Sequence, residues 1–158
     1  MQTKKYQGFT FVEILVTIAI IGVLSTVVAV SIQNARIKAY DARRITDMKA
    51  VYASLEAYDV DNHGTSLEGA NANECVAAGQ PLFQCIKPIN FSIVFDPVAK
   101  KDTPCVAGST SPCQYALGKS DPKTDDYEIL FYLQLKTPLG ESGVYKIKTG
   151  GQIERVTQ

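Results

Sequence analysis

Few residues in this chain have the type and spacing to do chemistry. Glu13 is a lone carboxylate five residues after Gly8, and no other charged residue falls between positions 9 and 32. A carboxylate left in hydrocarbon costs roughly 2.5–3.5 kcal/mol or more. Its chemistry is therefore ion pairing, and the counter-ion must come from outside its own segment.

The second set is Cys75, Cys85, Cys105 and Cys113, all of which follow the apolar segment. Four cysteines allow three pairings, and an even number on an exported side favours disulfides. Sequential pairing, Cys75 with Cys85 and Cys105 with Cys113, closes two short loops worth about 2–3 kcal/mol each. Crossed pairings stay open. Zinc is the competing use, but there is no C-x-x-C spacing and the only histidine, His63, lies well upstream.

Other candidates are weaker. The run D-V-D-N-H-G at 59–64 opens like a calcium loop, yet its twelfth position is Ala70, where a bidentate acid is required. It reads as a solvated helix end. The serines have no G-x-S-x-G or other activating context, so no catalytic residue, metal or cofactor is expected, and His63 reads as an exposed helix-end residue.

The element that positions Glu13 is the stretch Q-G-F-T-F-V-E-I-L-V-T-I-A-I-I-G-V-L at 7–24, which continues without charge to residue 32. A helix over 9–32 at about 1.5 Å per residue matches a hydrocarbon core of roughly 30 Å. The run is too long for a cleaved secretory signal. Lys4 and Lys5 before it favour a cytoplasmic amino terminus and an external body, although Arg36, Lys38, Arg43 and Arg44 weaken that bias.

Beyond residue 32 the helix continues amphipathically. Ile37, Tyr40, Ile45, Met48, Val51, Tyr52, Leu55 and Tyr58 form the apolar stripe, and Arg36, Arg43, Lys49 and Glu56 the opposite face. Gly64 supplies a carboxyl-terminal stop, giving one helix over about 9–62. Residues 65–112 are rich in Gly, Ala, Ser, Asn and Pro, and only 91–95 reads as strand.

After residue 114 the period becomes two. Tyr127, Ile129, Phe131, Leu133 and Leu135 alternate with their neighbours and predict a central strand. Segments 144–148 and 152–156 flank a T-G-G turn and predict a hairpin, with 114–117 as a fourth strand. One apolar sheet face needs cover, and the only long amphipathic element is the second half of the helix. The fold class is α+β: a long N-terminal helix laid on a small antiparallel sheet in a ladle form.

The 158 residues carry no net formal charge, and removing the two leader lysines leaves about −2, which argues against an electrostatic nucleic-acid binder. The basic cluster Arg36, Lys38, Arg43 and Arg44 reads as solvated or intersubunit salt-bridging. The aromatics Tyr115, Tyr127, Phe131, Tyr132 and Tyr145 read as core or cross-strand pairs rather than an adhesive face.

The sequence K-K-Y-Q-G-F-T-F-V-E-I-L-V-T-I-A-I-I-G-V-L resembles the class III signal of type IV pilins and type II secretion pseudopilins. The resemblance covers roughly the first quarter of the chain. It implies cleavage after Gly8 by a prepilin peptidase, methylation of Phe9, and pairing of Glu13 with the terminal amine of a neighbouring subunit. The divisions are then a leader at 1–8, a membrane and filament-core helix at 9–32, an amphipathic half at 33–63, and a head at 64–158.

The implied partners are further copies in a helical filament, the peptidase, the pilus assembly machinery and the membrane. DNA is not expected as a direct partner. The implied location is single-pass in the inner or cytoplasmic membrane with the head outside, then an extracellular pilus or periplasmic pseudopilus. The chain departs from type IVa pilins in having no proline before Pro81, which leaves Gly22 as the weak point of the span.

Major pseudopilins bind calcium near the carboxyl end. Asp121, Asp125, Asp126 and Glu128 lie in that region without a matching motif. The cysteine-bearing head ranks a pilin above a pseudopilin, with a competence pilin as a further alternative. A membrane-anchored exported domain that never polymerises is the reading from another class.

Overall fold

A computed structural model describes residues 8–157. Lys4, Lys5 and the rest of the leader up to Gln7 lie outside the described residues. The chain divides into two compact units between Arg36 and Ile37. Helix α1, Phe11–Asp59, is 49 residues long and contains no proline. Sequence pattern placed this helix at 9–62, so the structure trims it at both ends. Phe9 and Thr10 precede its first turn, because Thr10 acts as the cap, and residues 60–63 form a turn.

The turn after α1 closes on Gly64, whose φ of +65° suits a residue without Cβ. Its amide donates to Asp59 Oδ1 over 3.0 Å. The same carboxylate oxygen accepts from the Thr124 hydroxyl over 2.6 Å. The helix end is thereby tied to the turn before the central strand.

In the C-terminal unit, α1 buries a stripe at positions 41, 44, 48, 51 and 55. Met48, Val51 and Leu55 are fully apolar contributions to it. Asp41 and Arg44 occupy the remaining stripe positions, while Ile37, Tyr40 and Tyr58 are only half-buried. The helical period was legible, but its first buried turn is charged, so an apolar count placed that stretch of the stripe on its neighbours.

Four strands follow: β1 Ala116–Leu117, β2 Glu128–Leu133, β3 Gly143–Lys148 and β4 Ile153–Arg155. They pair antiparallel in chain order. β2 meets β3 with Phe131 opposite Tyr145, the rings 6.0 Å apart. The β3–β4 turn runs through Gly150 and Gly151, both at positive φ. A Cβ on Gly151 would also stand 2.9 Å from the Tyr52 ring, so this turn needs glycine for space as well as for conformation.

Both faces of the sheet are buried, whereas sequence pattern predicted one. Ile129, Phe131, Leu133, Tyr145 and Ile147 join Met48, Val51 and Leu55 of α1 in the main core. The other face carries Ala116, Leu130, Tyr132 and Val144 against Cys105 and Cys113. The loop between those cysteines supplies the cover that a strand-by-strand reading cannot see. A further correction falls at 91–95, read as strand from its apolar run. It is a turn with Phe91 buried and Ile93 exposed, since its amides bond locally, Ser92 to the Asn90 side chain and Val94 to the Phe91 carbonyl, instead of along a ladder.

Candidate functional site

The candidate site is the apolar start of α1. Thr10 opens it as a capping box: the Thr10 amide donates to Glu13 Oε2 over 2.8 Å and the Thr10 hydroxyl to the same oxygen over 2.9 Å. In return the Glu13 amide donates to the Thr10 hydroxyl over 3.3 Å. This reciprocal pattern satisfies amides that the first helical turn leaves free. Sequence reasoning missed it, although T-x-x-E at 10–13 is the signature that finds it.

Three further hydroxyls of the segment are also satisfied within the helix. The hydroxyls of Thr17, Ser25 and Thr26 donate to the carbonyls of Ile14, Ile21 and Val23 over 2.7–2.8 Å. That is the condition for polar groups to sit in hydrocarbon. The surrounding side chains are apolar and open: Phe9 is 85 % exposed, Phe11 80 % and Val27 69 %. Helix α1 is long and apolar enough to cross a membrane.

Gly8 and Phe9 stand in the exposed stretch before the cap, five and four residues ahead of Glu13. The structure therefore brings Glu13 to Thr10 and leaves it with no cationic partner among the described residues.

The cysteines lie in the C-terminal unit. Cys75 is joined to Cys85 and Cys105 to Cys113, with Cα atoms 5.1 and 4.9 Å apart. All four side chains are buried and none is free.

The basic cluster outside the apolar segment does not hold together as read. Arg36 and Lys38 are exposed and Arg43 lies 3.7 Å from Asp47. Arg44 is fully buried, which corrects its reading as a solvated cation. Its guanidinium donates to Asp41 over 2.7 Å and to both carboxylate oxygens of Asp96. The Asp41 carboxylate also accepts from the amides of Gln134 and Leu135, and the Asp96 carboxylate from those of Val98 and Ala99. The two carboxylates raise the pKa of Arg44 against the opposing effect of burial, so the guanidinium stays charged.

Three of the acidic candidates, Asp59, Asp126 and Glu128, are engaged in local contacts, while the Asp125 carboxylate lies beside Gly64. Asp59 meets Thr124, Gly64 and His63, the last over 2.9 Å. Asp126 pairs with Lys119, and Glu128 with Lys146 over 2.8 Å. Asp121 takes a positive φ in its turn. Among the described residues no three metal-capable side chains come together.

Comparison with known proteins bears on the same segment. The family described as the prokaryotic N-terminal methylation motif matches residues 3–29. The chain is 32% identical over 85 residues to the type II secretion system core protein G of Aeromonas hydrophila, covering 51% of this chain and 59% of that protein. It is 39% identical over 61 residues to the core protein G of Escherichia coli K12, covering 39% and 42%.

A probable minor fimbrial protein of Dichelobacter nodosus is 36% identical over 72 residues, covering 46% of this chain and 44% of that protein. The chain thus spans about half the length of the curated relatives it matches. No solved structure gives a significant match. With Gly8, Phe9 and Glu13 inside the matched motif, the chain resembles the prepilin-like proteins, type II secretion pseudopilins and fimbrial subunits among them.

Proposed function

We propose that this chain is a structural subunit of a type IV pilus-like filament. It is held in the membrane through residues 9–32, cleaved after Gly8, methylated on Phe9 and polymerised through its apolar helix segment. The observation that carries the reading is the open apolar surface of that segment with a single acid, Glu13, in register with Gly8 and Phe9.

Such a surface requires lipid or other helices around it, and the filament supplies the second environment. The terminal amine created at Phe9 gives the Glu13 carboxylate a partner on an adjoining copy, because each charge would be prohibitive in apolar surroundings alone and tolerable as a pair. The peptidase, the assembly machinery and further copies of the chain are the partners of this reading. Catalysis by the chain itself is not part of it.

A second reading, a type II secretion pseudopilus subunit, is favoured by the core protein G relatives, among them those of Aeromonas hydrophila and Escherichia coli K12. The disulfide-pinned C-terminal unit favours the pilin. Mass spectrometry of the mature protein from its own cells tests what the readings share. We expect a chain that begins at Phe9 and carries one methyl group. An intact amino terminus in the presence of an active peptidase refutes both readings and favours a non-polymerising anchored domain.

A further inference from the structure

The turn at 91–101 exposes apolar side chains that the fold prevents from turning inward. Ile93 is 80 % exposed, Val98 47 % and Phe95 38 %. Phe91, 2 % exposed, plugs one end of the turn into the core. At its middle, buried Arg44 grips Asp96, whose carboxylate also takes the amides of Val98 and Ala99 over 2.9 and 2.8 Å. Gln114 completes the clamp: its side-chain oxygen accepts from the Asp96 amide and its side-chain nitrogen donates to the Ala99 carbonyl, over 2.9 and 2.8 Å.

A buried, fully hydrogen-bonded ion cluster thus presents three apolar side chains to the outside. Two exposed cations, Lys100 and Lys101, follow directly, and Lys101 Nζ lies 5.9 Å from the Phe95 ring centroid. Asp102 is the exposed acid of this stretch. Alongside, an open groove of about 330 Å³ runs between the turn and α1, lined by Val51, Ile89, Phe91 and Ile93 and by the paired charges of Arg43 and Asp47.

We propose that this turn is a lipid-surface contact. Ile93, Phe95 and Val98 enter the interfacial layer of an anionic bilayer while Lys100 and Lys101 meet its headgroups. Interfacial binding scales with the apolar area buried and with attraction to anionic lipid, and each basic residue near an anionic surface contributes about 1 kcal/mol, or roughly five-fold in occupancy. The proposal rests on the membrane-held state proposed above. An apolar segment of the same chain keeps the C-terminal unit within reach of lipid, so a weak contact gains from high effective concentration.

The chain contains no tryptophan, so Ile93→Trp places one reporter at an exposed site without touching the core. The full chain carrying it is reconstituted into vesicles of phosphatidylcholine alone, or of phosphatidylcholine with phosphatidylglycerol. The expected result is blue-shifted emission, quenched by brominated acyl chains, in the anionic vesicles and weakened in the neutral ones. Adding Lys100→Gln and Lys101→Gln lowers the docked fraction relative to the free one by roughly five-fold per lysine, with the circular dichroism unchanged.

Emission that stays water-like in both vesicles overturns the proposal, as does a shift independent of lipid charge. A shift that arises only in polymerised fibres overturns it in favour of contact with a second copy. A chain that does not float with either vesicle defeats the membrane-held state together with this proposal, whereas a floating chain with a water-exposed indole defeats this proposal alone.

Discussion

At Glu13 the side chain that a bilayer penalises is drawn back onto its own helix by the Thr10 amide and hydroxyl. Removing the cap by Thr10→Val is expected to loosen the first turn by about 1 kcal/mol. Hydrogen exchange should show faster amides at residues 11–13, and Thr10→Ser should restore them.

At the other end of α1, Asp59 serves a comparable bracing purpose in water. The Thr124 hydroxyl, the Gly64 amide and His63 together hold its carboxyl below the usual range, the Thr124 hydrogen bond being the largest cause. A carboxyl depressed by folding adds stability above its unfolded value near pH 4, and that stability is lost as pH falls through the folded value. Asp59→Asn should therefore flatten the acid limb of the stability curve below about pH 4, read by urea titration at stepped pH.

Among the elements, the informative contrast is between what the pattern predicted and what polar side chains decided. The two-residue alternation at 127–135 located β2, and the T-G-G turn located the β3–β4 hairpin, because strand faces and left-handed turns write directly into residue type. The first buried turn of α1 did not show itself, since Asp41 and Arg44 stand where apolar residues would mark a core face. Asp96, the second carboxylate that Arg44 meets, lies 52 residues from it, a separation that local pattern does not span.

Arg44→Met would leave two buried carboxylates facing each other without a cation, at a cost of about 3–5 kcal/mol. Chemical denaturation of the variant should show that loss. The loop closed by Cys105 and Cys113 was equally hidden as cover: its cysteines were legible, but their place over Leu130 and Tyr132 depends on tertiary folding. In the main core, Tyr127 buries a hydroxyl that has no hydrogen-bond partner among the described residues, and that burial raises its pKa.

For the whole molecule, the apolar segment was the most legible part, because length, hydropathy and one misplaced charge need no tertiary context. The pairing proposed for Glu13 with the Phe9 amine of an adjoining copy belongs to this scale, as it exists only between chains. Glu13→Ala should leave membrane levels of the protein unchanged and sharply reduce sheared surface fibres, measured side by side. Normal fibre yield would contradict the pairing.

The sheet has a further consequence for crowded copies. Its β1 border is occupied by the 79–82 segment, which hydrogen-bonds along Tyr115 and Leu117. Its β4 border is three residues long and ends in Glu154 and Arg155. Short and charged margins of this kind resist adding a foreign strand, so close-packed copies are guarded at both borders of the sheet against cross-β aggregation, which suits a subunit whose proposed polymer grows through its helices.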